Sequence, residues 1–302
     1  MYEVDMLFNT NIVHDEHVAG YLFRTHIVSG HRRYSATAKA FNVDENKLLK
    51  SNQFSNSSLI YGLADSGIDS SKNLLLNHTP SLLWKFEPSA KDENLEFLFG
   101  IEANERRLIG FPRSWHFCHD CIDDDIILNG FSYWHNILQL PSLTHCPYHN
   151  KPLSTCTTQL RDLRTACLPQ SYSDLPRSYE DISSLNSWSE FLIKAYEYCQ
   201  NNDVDIYNIH NQIKQLIGLK IEDKIKLKDF NHCCVQAWTK FTKEMDKSLL
   251  VHLFKPFSTN TTQEVNVIRS TLSSKKVIGY RSPIYLLAIM YWLQHHHGHV
   301  FF

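Results

Sequence analysis

Two pairs of metal-ligating side chains stand near the middle of this chain, in Cys118-His119-Asp120-Cys121 and Cys146-Pro147-Tyr148-His149, with 24 residues between the pairs. Two residues between ligands let a tight turn aim both side chains at one ion, and zinc takes four such soft or borderline ligands in a tetrahedron. The spacing predicts one structural Zn2+ held by Cys118, Cys121, Cys146 and His149. Four protein ligands leave no coordination slot for water and substrate, so the site reads as closed rather than catalytic. The competing reading is reduced, buried cysteines at chance spacing. Between the pairs, Phe131 to Pro141 carries Phe131, Tyr133, Trp134, Leu138 and Leu140 and reads as the small core beneath the two knuckles. Pro147 suits a rigid turn. His116, His119, His135 and His145 fall off the spacing and read as outer partners or surface, with His119 and His145 the substitutes should one of the four ligands differ.

The remaining cysteines do not repeat the pattern. Cys156 and Cys167 have no CxxC partner and read as small buried residues. Cys199, Cys233 and Cys234 fall in helical segments and read as core. No stretch approaches the roughly 18 apolar residues of a membrane helix. The first residues carry acids early, without a basic n-region or an apolar h-region. The chain is therefore expected in the cytoplasm, with no membrane contact, where thiols stay reduced.

The length of 302 residues suits about two or three domains. We expect a mainly α fold with three parts: an N-terminal helical region over 1–110, a zinc-binding module with little β over 111–176, and a C-terminal helical bundle over 177–302. Val18, Tyr21, Leu22, Ile27 and Val28 give one apolar helical face. Ser35 can cap a segment from Ala36 to Phe41, Asn42-Val43-Asp44 makes a turn, and Glu45 to Lys50 starts another helix. That pattern fits a helix-turn-helix, and it equally fits a plain three-helix packing unit. Ser51 to Ser71 reads as loop with a short helix, and 95–107 is patchily amphipathic. Helical periodicity returns in Trp188 to Tyr198, Val204 to Leu219, His232 to Phe254, Glu264 to Leu272 and Pro283 to Gln294. The His295-His296-His297-Gly298-His299 tail reads as a solvated end.

Thirty basic against 32 acidic residues give a formal charge of -2, so the chain as a whole lacks the basic footprint of a nucleic-acid binder. Contact with DNA would fall to local groups: Arg32, Arg33, Lys39 and Lys47 around the helix-turn-helix, Arg106, Arg107 and Arg113 ahead of the knuckles, and Lys275, Lys276 and Arg281 near the end. Each cluster fits an ordinary solvated face as well. Asp123-Asp124-Asp125 would repel phosphate and reads as a solvated loop or a surface for a basic partner. The chain holds no GxxxxGK[ST], GxSxG or HExxH, and His119-Asp120-Cys121 lacks the HxE…PCxxC order of zinc deaminases.

Phe111-Pro112-Arg113, Cys118-His119-Asp120-Cys121, Trp134, Leu140-Pro141 and Cys146-Pro147-Tyr148-His149-Asn150-Lys151-Pro152-Leu153 together resemble the TniQ/TnsD family. That family's pattern is a "YCPxC" knuckle, an aromatic stretch with Trp, "LP", and a "CPxHGxPL" knuckle. Asn150 stands where the family has Gly, a mild departure because Asn also tolerates a left-handed backbone. Asp15-Glu16 with Arg24 is similar to the family's N-terminal "dE...S.L.R" segment, without its usual Ser. His78-Thr79-Pro80 is similar to its "HT" motif, and Lys275 to Arg281 weakly to the C-terminal part of TnsD.

The resemblance implies a non-enzymatic, zinc-containing target-selection protein of DNA transposition, in the cytoplasm of a bacterium and associated with its nucleoid. Its partners would be a TnsC-type AAA+ ATPase and either attachment-site DNA or a CRISPR-associated Cascade–guide RNA complex, on which family members dock as dimers. Cys156 and Cys167 do not supply the second knuckle pair that many family members carry after "PL", and full TnsD proteins run well past this length, which leaves two readings open: a short TniQ-like protein, or the N-terminal part of a longer TnsD-like one. A stand-alone, sequence-specific zinc-containing DNA-binding protein is the alternative function, and a zinc-dependent enzyme the third.

Overall fold

The computed structural model describes residues 11–43, 57–86, 115–156, 167–172, 183–219, 227–254, 266–273 and 282–302. Helices dominate, and the only sheet among the described residues is one antiparallel pair of two-residue strands. The mainly α class is thus the one expected from sequence. The chain divides into two compact units. The first takes the described residues of 11–82, 115–156 and 167–172, so the N-terminal helices and the cysteine–histidine stretch share one body. The second takes 83–86 and everything described from residue 183 onward.

The first unit opens with α1, Val18–Ser29. His17 is its N-cap: the ring Nδ1 accepts the Ala19 N–H at 3.1 Å. Burial, and then the neighbouring charge of His78, push the His17 pKa down to about 3, so the cap stays a neutral acceptor. Gly30, at φ 64°, ends the helix in the left-handed region. Residues 18 to 25 are all buried, Arg24 among them, whereas Ile27 and Val28 face solvent. The expected apolar face therefore fails at its C-terminal end. The first eight residues of α1 are enclosed and its last four reach toward solvent.

Next comes α2, Tyr34–Ala40, which starts ahead of the expected Ser35 cap, with Arg33 in the N-cap position and no side-chain cap bond. Asn42 turns the chain at φ 55°. The second helix expected over 45–50 lies outside the described residues, as does the amphipathic stretch 95–107. Within the polar stretch read as loop with a short helix lies α3, Ser57–Asp65, and α4, Ser71–Asn77, follows under a Ser70 cap. A 3-10 turn, Pro80–Phe86, takes up the apolar run after His78-Thr79. Strand β1, His116–Phe117, pairs with β2, Ser154–Thr155, in the register His116 to Thr155 and Phe117 to Ser154. Helix α5, His119–Asn129, leaves directly from β1.

The second unit contains α6 (Ser183–Asn201), α7 (Ile206–Leu216), α8 (Leu227–Glu244), α9 (Lys247–Leu253), α10 (Val267–Leu272) and α11 (Pro283–His297). Pro283 to Leu293 are buried except Tyr285, so α11 is apolar nearly all round, and it packs on α6, α8 and α10. The helix expected unbroken from His232 to Phe254 is two. Asp246 accepts the N–H groups of Ser248 and Leu249 at 2.8 and 3.2 Å and starts α9 afresh. Among the described residues no helix is long and apolar enough to cross a membrane.

Candidate metal centre

The first knuckle is a strand-to-helix corner. Cys118 leaves β1 in extended geometry and becomes the N-cap residue of α5, which places Cys121 in the helix's first turn. The second knuckle is a hairpin. His145 bridges to Pro152, Cys146 N–H bonds to Lys151 O at 2.8 Å, and Leu153 N–H bonds to Thr144 O at 2.8 Å. Asn150 makes the hairpin's reversal at φ 50°, the left-handed backbone that its type tolerates. The β1–β2 pair closes one knuckle against the other. Gln139 then completes β1 from the side: its Oε1 accepts the His116 N–H at 3.0 Å, and its Nε2 donates to His116 O at 2.9 Å and His135 O at 3.0 Å.

This frame brings Cys118, Cys121, Cys146 and His149 together, with all four ligand atoms within 4.8 Å of one another. His149 Nδ1 lies 3.6 Å from Cys118 Sγ, 3.4 Å from Cys121 Sγ and 3.6 Å from Cys146 Sγ, and Cys121 Sγ lies 3.5 Å from Cys146 Sγ. A tetrahedral ion with bonds of about 2.3 Å to sulfur and about 2.0 Å to nitrogen sets edges of roughly 3.8 and 3.5 Å. The four residues thus form a group able to hold a metal ion, and these four distances lie within about 0.3 Å of the tetrahedral edges. His119 and His145, the substitutes, are not in it. His119 Nε2 pairs with Ser154 Oγ at 3.0 Å and His145 Nδ1 with Thr144 Oγ1 at 2.9 Å.

The three thiols perturb one another. Hydrogen bonds from the Cys121 and Cys146 thiols pull the Cys118 thiol below its ordinary range. The same contact with Cys118 pushes Cys121 up, and Cys146 up to about 12. A divalent cation at the centre would bind the thiolate forms and displace their protons.

The side chains around the ligands correct the expectation for the acidic run. Asp123-Asp124-Asp125 is no loop; it is the middle of α5. Asp124 Oδ2 lies 3.0 Å from His149 Nε2, so it accepts the proton on the ring nitrogen that faces away from the thiols and leaves Nδ1 free for a metal. Asp125 is buried and its Oδ2 lies 3.1 Å from His135 Nε2, while His135 Nδ1 lies 3.3 Å from Asp15 Oδ2. Lys151, beside the second knuckle, pairs with Asp120 in the first. These pairings were invisible to ligand spacing. Asp124 and His149 stand 25 residues apart and Asp125 and His135 ten, separations that carry no local periodicity to read.

The outlying motif fragments converge on the same frame. Glu16 is fully buried and takes Arg24 in a two-pronged pair, with Nε to Oε1 and a terminal nitrogen to Oε2, both at 2.8 Å. The Arg24 guanidinium lies over the Phe131 ring at 4.9 Å. His78 donates its Nδ1 proton to Glu16 O at 2.6 Å and accepts the Val18 N–H on its carbonyl at 3.0 Å. His17 N–H reaches Trp134 O at 2.8 Å, and the Trp134 and Trp115 rings lie tilted to each other with centroids 4.9 Å apart. The segment Phe131 to Pro141 is core as expected, with Trp134, Leu138 and Leu140 buried. Cys156, Cys199 and Cys234 are buried as read, and Cys167 and Cys233 are partly exposed.

Of the candidate DNA contacts, Arg32, Arg33 and Lys39 are exposed around α2. Lys47, Arg106, Arg107, Arg113, Lys275, Lys276 and Arg281 lie outside the described residues. No protein-family model matches the chain, and no curated protein matches it.

Proposed function

We propose that this chain is a zinc-stabilised, non-enzymatic target-selection adaptor of the TniQ/TnsD kind, working at the bacterial nucleoid. It would recognise a target, as attachment-site DNA or as a Cascade–guide RNA complex, and recruit a TnsC-type AAA+ ATPase to it. The observation that carries this reading is the closed Cys118, Cys121, Cys146 and His149 cluster, set in the "CHDC…CPYHNKPL" frame with Asp15-Glu16, Arg24 and His78 assembled on it. Zinc suits three thiolates and one imidazole at tetrahedral spacing. Bound there, it supplies a cross-link between two knuckles and no chemistry. Cys118 and Cys121 would hold it from the α5 corner, and Cys146 and His149 from the hairpin. Such an adaptor acts by position: one face meets the target marker and another meets the ATPase.

Pull-downs with TnsC and, separately, with Cascade test the reading, followed by shift assays on candidate attachment DNA. Capture of TnsC together with one of the two targets is expected. Capture of neither target and no TnsC overturns it. Salt separates direct from indirect targeting, since direct DNA binding weakens steeply as salt rises. Metal analysis is expected to return one zinc per chain, and Cys118→Ser or His149→Ala to abolish it.

A further inference from the structure

Helix α5 carries two consecutive carboxylates with different tasks. Asp124 meets the ligand His149 at 3.0 Å. Asp125 meets His135 at 3.1 Å, and His135 in turn meets Asp15 at 3.3 Å, so the helix links the metal cluster to the N-terminal segment. A second route runs through the other knuckle. Tyr148 lies between the ligands Cys146 and His149, and its hydroxyl donates to Asp15 Oδ2 at 3.3 Å. Asp15 also accepts the Ile137 N–H on Oδ1 at 3.0 Å, and its carbonyl accepts the Asn136 N–H at 2.5 Å. One carboxylate therefore receives both knuckles and the aromatic core between them.

Asp15 holds this position at a backbone cost. Its φ is 60°, in the left-handed region, which costs a non-glycine residue free energy that its contacts must outweigh. The residues that follow depend on the same placement. Glu16 bridges to His135 through the backbone and holds Arg24 through its carboxylate, and His17 caps α1.

We propose that metal occupancy and the docking of residues 11–18 are one linked equilibrium, with Asp15 as the latch. Metal fixes the first turn of α5 and the second hairpin. Those two elements present Asp125, through His135, and Tyr148 in the geometry that Asp15 meets. Without metal the knuckles lose their cross-link, the contacts that offset the Asp15 backbone are no longer held, and the segment releases α1 from its cap. Linkage is reciprocal: whatever metal adds to docking, docking adds to metal affinity. The chain would then present its N-terminal helices in one form when loaded and another when stripped. The inference rests on the metal-binding part of the function proposed above and not on the adaptor role.

The test uses the full chain loaded with Zn2+. Hydrogen exchange over residues 11–29 is followed before and after stripping with a chelator, and zinc affinity is measured by competition with a chromophoric chelator. Stripping is expected to speed exchange over 11–29 at least tenfold. Asp15→Asn is expected to speed it with zinc still bound, and to weaken zinc roughly fivefold or more, the lower range of ordinary coupling. Tyr148→Phe, which removes one of the two routes, should move both readouts less. Leu63→Ala, a buried change in α3 away from the latch, is expected to leave zinc affinity unchanged while the chain stays folded. Exchange over 11–29 that ignores zinc, or an Asp15→Asn chain with unaltered zinc affinity, overturns the linkage. A wild-type chain that takes up no zinc overturns the metal site and the linkage with it. Uptake of zinc without coupling sinks the linkage alone.

Discussion

His135 has a carboxylate on each ring nitrogen, Asp125 at Nε2 and Asp15 at Nδ1, and is almost wholly buried. Burial alone would lower its pKa, but the hydrogen bonds to Asp125 and Asp15 outweigh it and raise the value to about 9. The charged ring lets both nitrogens donate at once, which neither neutral tautomer can do. A histidine bound more tightly to its proton when folded stabilises the fold fully below its unfolded value, near 6.5. That stability is lost as pH rises through about 9. The interval corresponds to at most roughly 3 kcal/mol. Urea unfolding of the zinc-loaded chain should therefore show a lower midpoint at pH 9.5 than at pH 6.5, and His135→Gln should flatten that difference. Equal pH dependence in both proteins would show that this ring does not carry the effect.

At the scale of elements, packing decides what periodicity leaves open. Gly20 lies in the enclosed half of α1, and a Cβ added there would stand 2.8 Å from Trp134 Cβ. Replacing a mid-helix glycine with alanine ordinarily gains about 1 kcal/mol. Here the contact is with an atom next to the Trp134 backbone, which cannot swing away, and overpacking of this kind costs about 1–3 kcal/mol. Gly20→Ala is thus expected to destabilise by up to about 2 kcal/mol, read as a lower denaturation midpoint. A gain in stability would mean that α1 shifts freely against the aromatic core. The same distinction explains what the sequence made legible. Ligand spacing names the cluster because coordination geometry is local, and the left-handed backbone at Asn150 is legible because Asn stands there in place of the resembled family's Gly. The helix at Cys118 was not readable, since a CxxC looks alike in a turn and at a helix start. Nor was the burial of Arg24 in place of Ile27 and Val28, because its partner Glu16 comes from outside the helix. Asp246 looked like one more polar residue in a periodic stretch, yet its two backbone bonds split the helix there.

At the scale of the molecule, both units bury an apolar core, and the first adds a cluster able to hold a metal ion. The first is built around a four-ligand cluster, a two-stranded pair and side-chain bridges, and its helices α2 and α4 have only seven residues each. The second has an ordinary apolar core, with α11 enclosed by α6, α8 and α10 and with Trp188, Leu192 and Phe241 buried. A ligand that binds only the folded state adds about 4 kcal/mol when its free concentration is a thousand times its dissociation constant. For a unit of 150 residues or so, that is a shift of roughly 10 °C in its unfolding midpoint. Calorimetry of the zinc-loaded chain should resolve two transitions. Chelator, or Cys118→Ser, should lower one of them by about that amount and leave the other in place. Assignment follows from Phe241→Ala, which creates a cavity in the second unit and should lower only the transition that chelator spares, by an effect of about 3–5 kcal/mol. If chelator lowers both transitions together, the two units fold as one cooperative body, and the cluster supports the whole chain rather than the half that contains it.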